Sequence, residues 1–126
     1  MKYLILIHSN PSVIELFAAM TDVQRREAFQ TYFEIESELE KSGELLESKA
    51  LEEKVQHYVQ RGAEGPIVTD APLAEVTEIV TGFYLVDVRD EARAFEIAAR
   101  FPEAVTERGV RVVRVWTQDD FEQAMS

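Results

Sequence analysis

The sequence predicts an α+β domain in which helices cover one face of an antiparallel-rich sheet. Residues 2–8 are almost all apolar, which is typical of a central strand covered on both faces. A long amphipathic pattern follows at residues 22–42, and a stretch rich in β-branched and aromatic residues, 79–88, precedes a second helical pattern. Helices after the first and fourth strands cross on the same side of the sheet. The order therefore corresponds to a split βαβ, or ferredoxin-like, domain.

The composition fits one domain over residues 1–126 and excludes several classes of function. The chain has no cysteine, which excludes thiolate metal sites and fits a reducing, cytoplasmic location. Its formal net charge of -11 repels phosphate backbones, so we expect no nucleic-acid partner. No stretch approaches the roughly 20 apolar residues of a membrane helix. With only His8 and His57, far apart in sequence, a zinc site is not expected.

The first long helix has clear signals at both ends. Thr21 and Gln24 have the spacing of a capping box, and Gly43 is suited to the left-handed conformation after a helix C-terminus. The helix is therefore expected from about Asp22 to Ser42, after a short helical turn within residues 13–20. Its buried stripe is predicted to consist of Ala28, Tyr32, Ile35 and Leu39, widened by Phe29 and Phe33.

The remaining elements follow from local patterns. Strands are expected at 43–48, 55–61, 67–69, 79–88 and 110–116, with the second and third forming a hairpin around the Gly- and Pro-containing turn 61–66. Gly82 inside a strand indicates a bulge or a close backbone approach. A second helix is expected at 91–100, with Pro102 behind it, and a short one at 119–126. The second helix is predicted to bury Ala92, Phe95, Ala98 and Ala99.

A sheet with helices on one side leaves its other face bare. An apolar face of that size is unfavourable in water, and a second copy of the chain is the simplest cover. We therefore expect a homodimer, and packing of the two sheets face to face is one arrangement that would cover both bare faces.

One carboxylate stands out at the corner after the hairpin. The apolar run Ile67-Val68-Thr69 leads to Asp70, Pro72 fixes the backbone beyond it, and Glu75 follows within reach. An aspartate held on a rigid corner is suited to taking or orienting a proton if burial raises its pKa. The alternative is a turn aspartate that bonds its own backbone.

Other polar residues fall at strand ends or on buried faces. His8 ends the first strand, where a histidine suits proton transfer near neutral pH, and Tyr32 lies in the apolar stripe of the helix. A structural histidine and a core tyrosine are the alternatives. Arg111 and Arg114 lie on opposite faces of the last strand and are suited to pairing with a substrate anion or with surface acids.

No dinucleotide, phosphate-loop or nucleophile-elbow motif is present, so a cofactor-free chemistry is expected. Nearly the whole chain resembles the YCII-related proteins, in particular their DGPF branch. The resemblance rests on the opening Met-Lys-Tyr-Leu-Ile-Leu-Ile, Leu39-Glu40-Lys41-Ser42-Gly43, residues 68–75, residues 82–88 and Ala98-Ala99-Arg100. It implies a ferredoxin-like, dimeric α/β-barrel-type fold.

The resemblance also implies a site. In the wider family a histidine on the first helix and an aspartate in an Asp-x-Pro turn are a proposed acid/base pair, and one branch removes hydrogen chloride from a chlorinated hydroquinone. Asp70 matches the aspartate, whereas Tyr32 stands at the histidine position. Ala71 replaces glycine and Leu73 replaces phenylalanine of the motif. Members of the branch often lie beside extracytoplasmic-function sigma factor genes, which implies a stress-response context.

Two main hypotheses follow. The first is a cofactor-free small-molecule lyase or isomerase in which Asp70 takes or orients a proton and Tyr32 or His8 donates one. The second is a non-catalytic dimeric module that binds a small ligand or a partner; a domain that has lost its family chemistry is a third possibility. The enzyme hypothesis needs Asp70 within a hydrogen bond or one water of Tyr32 or His8 in a closed cavity.

Overall fold

The computed structural model describes residues 1–70 and 78–126. Their helices and strands follow the predicted order, with a single short 3-10 turn at Pro102–Val105 before the last strand. The elements are β1 (Lys2–Ser9), α1 (Pro11–Ala18), α2 (Asp22–Ser42), β2 (Leu45–Ala50), β3 (His57–Gly62), β4 (Gly65–Asp70), β5 (Ile79–Asp87), α3 (Glu91–Ala98), β6 (Val110–Arg114) and α4 (Gln118–Met125).

The main sheet has four strands in the order β2-β5-β1-β6, and every neighbouring pair is antiparallel. This order, with α2 after the first strand and α3 after the third strand of the sheet, is the split βαβ arrangement. The predicted ferredoxin-like α+β class is therefore confirmed. Strands β3 and β4 form a separate two-stranded hairpin between β2 and β5, as their turn residues predict.

The core lies between the sheet and its helices. Alternate residues of β1, Tyr3, Ile5 and Ile7, point to this side because side chains of a strand alternate between faces. They meet Ile35 and Leu39 of α2, which are fully buried. The capping box of Thr21 with Gln24 and the left-handed Gly43 (φ 78°) fix both ends of α2 where the sequence predicts them.

The buried faces of the two helices differ in part from the prediction. Ala28, Ile35 and Leu39 are buried, but Phe29 and Phe33 are 54% and 70% exposed, so the stripe of α2 is narrower than expected. In α3 the predicted Ala92, Phe95 and Ala99 are exposed, and only Ala98 of that set is buried. The buried stripe is instead Ala94, Ile97 and Ala98, because it continues one turn later into Phe101, which is 1% exposed.

The opposite face of the sheet carries a second apolar set. Leu4 and Leu6 of β1 lie beside Leu85 and Phe83 of β5, and Val113 of β6 lies beside Leu4. These five side chains are half-buried or exposed, and none belongs to the core cluster. We call them the bare face of the sheet.

Strand β5 contains an irregularity that sets the position of His8. Ile7 pairs with Gly82, but the next residue, His8, pairs with Val80, so Thr81 is left over as a bulge. A Cβ at Gly82 would lie 3.3 Å from the carbonyl oxygen of Lys49 in β2. The sequence prediction of a bulge or a close approach at Gly82 is confirmed, and both occur.

Candidate functional site

Asp70 lies at the end of β4, directly across the hairpin from His57 at the start of β3. Its Oδ1 is 2.8 Å from Nδ1 of His57, and the two side chains are 79% and 50% exposed. The predicted turn that contains Pro72 and Glu75 lies outside the described residues. Asp70 thus has an imidazole partner, but the partner comes from the neighbouring strand rather than from a helix.

Tyr32 contacts a buried carboxylate. Its hydroxyl donates a hydrogen bond to Oε2 of Glu103, in the 3-10 turn, and its ring packs 6.1 Å from that of Phe101. Glu103 is 5% exposed, and its Oε1 has no hydrogen-bond partner in the described part of the chain. Burial raises the pKa of Glu103, and the bond from Tyr32 partly opposes that rise. Burial and this bond also raise the pKa of Tyr32, so its phenol is neutral at neutral pH.

This pair gives a prediction for stability. Tyr32→Phe should lower the free energy of unfolding by about 1–3 kcal/mol at neutral pH, because it leaves both oxygens of a buried carboxylate unpaired. Without the bond from Tyr32 the folded-state pKa of Glu103 rises further above its ordinary 4.5. In the folded variant, Glu103 therefore binds a proton more tightly than it does in folded wild type. The loss of unfolding free energy is then larger at pH 7, where Glu103 has to lose this proton, and smaller at about pH 4, where it keeps the proton.

Urea denaturation at about pH 4 and pH 7 measures this effect. Tyr58→Phe on the exposed hairpin is the matched control, with an expected change within about 0.5 kcal/mol. A Tyr32→Phe variant as stable as the control at both pH values would show that the bond to Glu103 contributes nothing.

His8 lies one residue before the end of β1, in a buried position. It is 3% exposed, and neither ring nitrogen has a hydrogen-bond partner among residues 1–70 and 78–126. Burial lowers the pKa of His8, and the positive charge of Arg111 lowers it further, while Glu78 acts in the opposite direction. The imidazole is therefore neutral at pH 7 and has a free lone pair that can accept a proton.

His8 borders a cleft of about 330 Å³. Most of the other lining residues are charged: Glu78, Glu107, Arg108 and Arg111, together with Val110. Its volume lies at the lower end of the range of small-molecule sites, but its lining is more charged than that of most such sites. A titratable residue with a perturbed pKa beside a cleft is a common feature of functional sites.

Two hydrogen bonds connect the end of β1 to the turn at Arg108 and Gly109, beside this cleft. The amide of His8 donates to the carbonyl of Gly109, 2.8 Å away, and the Asn10 side-chain amide donates to the carbonyl of Arg108 at 3.3 Å. Asn10 also caps α1, because its Oδ1 accepts from the amide of Val13 at 3.0 Å. One side chain therefore ties the start of α1 to the turn before β6.

The two arginines of β6 have different surroundings. Arg114 makes a two-pronged contact with Asp120 of α4, at 2.8 and 2.9 Å. Arg111 pairs with Leu6, two residues before His8 on the same face of β1, and lines the cleft. The surface-acid alternative applies to Arg114, and Arg111 lines the cleft beside His8.

Within the described residues, Asp70, Tyr32 and His8 have no hydrogen bond to one another, so the direct bond from Asp70 to Tyr32 or His8 that the enzyme hypothesis describes is absent there. Asp70 contacts His57, Tyr32 contacts Glu103, and His8 faces its cleft. The His57–Asp70 hairpin and the His8 strand end are connected through Val80, which pairs with His8 across the sheet. The side-chain amide of Gln56, which precedes His57, donates to the carbonyl of Val80 at 3.0 Å.

Sequence reasoning missed two of the groups involved. It weighed His57 as a zinc ligand, expected no such site and gave the residue no catalytic role, and the hairpin register is what places this residue opposite Asp70. It did not single out Glu103, although a lone carboxylate in the apolar run Phe101-Pro102-Glu103-Ala104-Val105 is a recognisable signal of burial.

The described residues contain no group of three or more His, Cys, Asp or Glu side chains arranged to hold a metal ion. Over the same residues, no helix combines the length and the apolar character needed to cross a bilayer.

The four-stranded antiparallel sheet in the order β2-β5-β1-β6 defines a ferredoxin-like α+β domain, and a charged cleft lies near the end of its first strand. The YCII-related domain family matches residues 1–119. The chain therefore belongs to the YCII-related family. A search of curated proteins found no match.

Proposed function

We propose that this chain is a cofactor-free small-molecule enzyme of YCII type that performs lyase or isomerase acid–base chemistry, with His8 as the base. The observation that supports it is the buried imidazole beside a cleft of about 330 Å³, with no hydrogen-bond partner for either ring nitrogen among residues 1–70 and 78–126. An unpaired buried polar group costs about 1–3 kcal/mol of stability. Such a cost is more readily tolerated where the group has a ligand to meet.

The proposed step is a proton transfer. The neutral imidazole takes a proton from carbon next to a carbonyl, and the electron pair of the broken C–H bond moves into the carbonyl system. The imidazolium then returns the proton to another carbon, as in an isomerase, or a leaving group departs, as in a lyase. Both ring nitrogens are buried in the structure, so the proposal requires the ring to turn about its Cβ–Cγ bond until one of them reaches the cleft.

In this proposal Asp70 acts through His57. A carboxylate on Nδ1 holds the tautomer in which Nε2 carries the lone pair, so Asp70 would orient His57 as a second proton carrier. The pair would replace the helix histidine of the family, whose position Tyr32 occupies. The bond between Gln56 and Val80 keeps the base of the hairpin near the strand end that pairs with His8.

Deuterium exchange tests the proposed step without knowledge of the true substrate. The purified protein is incubated in D2O with small ketones, lactones, 2-oxo acids and a chlorinated hydroquinone, and loss of carbon-bound hydrogen is followed by NMR. His8→Gln should slow exchange by about 100-fold or more, since general bases contribute that much. His8→Asn is the second variant if His8→Gln does not fold.

The same assay tests Asp70. Asp70→Asn should lower the rate while the melting temperature stays within a few degrees, because an exposed ion pair contributes about 0–1 kcal/mol. An unchanged rate removes Asp70 from the site. No exchange by wild type across the panel, or equal exchange by wild type and His8→Gln, contradicts the enzyme proposal.

One observation favours a second candidate function. Asp70 is 79% exposed and Tyr32 is held by Glu103, so neither reaches the His8 cleft in the described conformation. A dimeric ligand-binding or regulatory module, linked to a sigma-factor stress response as the DGPF resemblance implies, needs no such convergence. Ligand binding in the cleft without exchange or turnover would favour this alternative.

The bare face supports the proposal of a homodimer. Leu4, Leu6, Phe83 and Leu85 form two adjacent cross-strand rows at the centre of the sheet. A second copy of the chain offers the same apolar surface, so packing the two together removes both surfaces from water. The His8 cleft opens at the end of the same face, so a second copy would contribute to its surroundings.

A further inference from the structure

We infer that the His8 cleft takes a small organic anion of about one ring, a carboxylate being the best fit, and that Arg111 is the residue that selects it. This inference rests on the proposed function only for the location of the site. It adds the chemical class of the ligand, which neither the family membership nor the acid–base chemistry specifies.

The first support is the position of Arg111. It projects from β6 on the same side of the sheet as His8, and it pairs across the sheet with Leu6. Diagonal neighbours on adjacent strands are about 7–8 Å apart at Cα, within reach of a long side chain. The positive charge of Arg111 already lowers the pKa of His8 across this short separation.

The second support is that Arg111 keeps its hydrogen-bonding capacity. Among residues 1–70 and 78–126 it makes no ion pair or side-chain hydrogen bond, whereas Arg93, Arg100 and Arg114 each contact a carboxylate at 2.5–2.9 Å. A guanidinium offers donors in a planar fork that fits a carboxylate with two parallel bonds. Arg108 also lines the cleft without a carboxylate partner among the described residues, but Arg111 is the arginine whose charge acts on His8.

The third support is the size and polarity of the cleft. A volume of about 330 Å³ corresponds to roughly eleven water molecules at about 30 Å³ each. That space holds a single-ring molecule and is small for a nucleotide. Glu78 and Glu107 also line it, so a multiply charged anion would meet repulsion that a monoanion with one carboxylate facing Arg111 avoids.

The two residues then act on opposite ends of one ligand. Arg111 holds the carboxylate, and the neutral imidazole of His8 faces the carbon framework beside it. A bound anion also opposes the effect of Arg111 on His8, so binding should raise the pKa of the imidazole. By linkage, protonation of His8 and binding of the anion favour each other to the same extent.

NMR titration with sodium benzoate, and with benzamide as its neutral counterpart, tests the inference. In a His57→Gln background, His8 is the only imidazole of the chain. Benzoate should shift the His8 resonances in a saturable way and raise the His8 pKa, and benzamide should do neither. Arg111→Met should weaken benzoate binding by about tenfold or more, which is the usual effect of losing a charge-assisted pair.

Arg114→Met removes the same charge from the same strand and is the matched control; it should bind benzoate as wild type does. Arg111→Lys keeps the charge and should retain measurable binding. Equal effects of benzoate and benzamide, or equal weakening by Arg111→Met and Arg114→Met, would overturn the inference. These readouts need no turnover, so benzoate binding without deuterium exchange refutes only the enzyme proposal, and His8-dependent exchange without benzoate binding refutes only the anion.

Discussion

Leu85→Arg is expected to convert a dimer into a monomer. Leu85 lies at the centre of the bare face, opposite Leu4 on β1 and next to Glu47 on β2. In the proposed face-to-face dimer, an arginine there would place a guanidinium against the apolar residues of the second copy. Even with Glu47 beside it, burying this charge costs several kcal/mol because both groups lose their hydration, and that is enough to dissociate a micromolar dimer.

Light scattering after size-exclusion chromatography measures this directly. Phe33→Arg is the control, because Phe33 is 70% exposed on α2, on the other side of the sheet. The control should remain a dimer with an unchanged elution volume. A wild-type monomer at micromolar concentration, or a Leu85→Arg variant that stays dimeric, would contradict pairing through the bare face.

Gly109→Ala should destabilise the fold by about 3 kcal/mol or more. A Cβ at Gly109 would lie 2.3 Å from the carbonyl oxygen of Glu103 and 2.5 Å from Oγ1 of Thr106. The 3-10 turn would have to move away from β6 to make room. Because the carbonyl of Gly109 accepts the amide of His8, this movement would also disturb the floor of the cleft.

Gly43→Ala is the comparison variant. Gly43 has φ 78° and no atom within 4 Å of an added Cβ, so its expected cost is only the backbone penalty of about 1–2 kcal/mol. Urea denaturation gives both values. A Gly109→Ala variant no less stable than Gly43→Ala would show that the turn at 102–109 is looser than its contacts indicate.

The sequence predicted the elements best where the signals are local. The bounds of α2 follow from Thr21, Gln24 and Gly43, which satisfy or terminate the backbone hydrogen bonds of one helix. The prediction for α3 was wrong about Ala92, Phe95 and Ala99, since several overlapping stripes exist in a short helix. Only the packing of Phe101 against Tyr84, with ring centroids 4.7 Å apart, selects among them.

The candidate site depended on long-range geometry, and less of it could be predicted. The strand-end position of His8 follows from the pattern of β1, but its burial depends on the turn at Arg108 and Gly109, about a hundred residues later. The bond between Tyr32 and Glu103 joins residues 71 positions apart. The partner of Asp70 depends on hairpin register, which a slip of one residue would change.

The role of His8 as a base is tested most directly by the pH dependence of deuterium exchange, measured together with an NMR titration of His8. The base must be neutral to accept a proton, so exchange should fall as pH drops through the lowered pKa of His8, below its ordinary 6.5. The midpoint of the rate and the midpoint of the His8 resonances should coincide. A rate that stays constant while His8 titrates, or one whose midpoint lies elsewhere, would show that another group performs the chemistry.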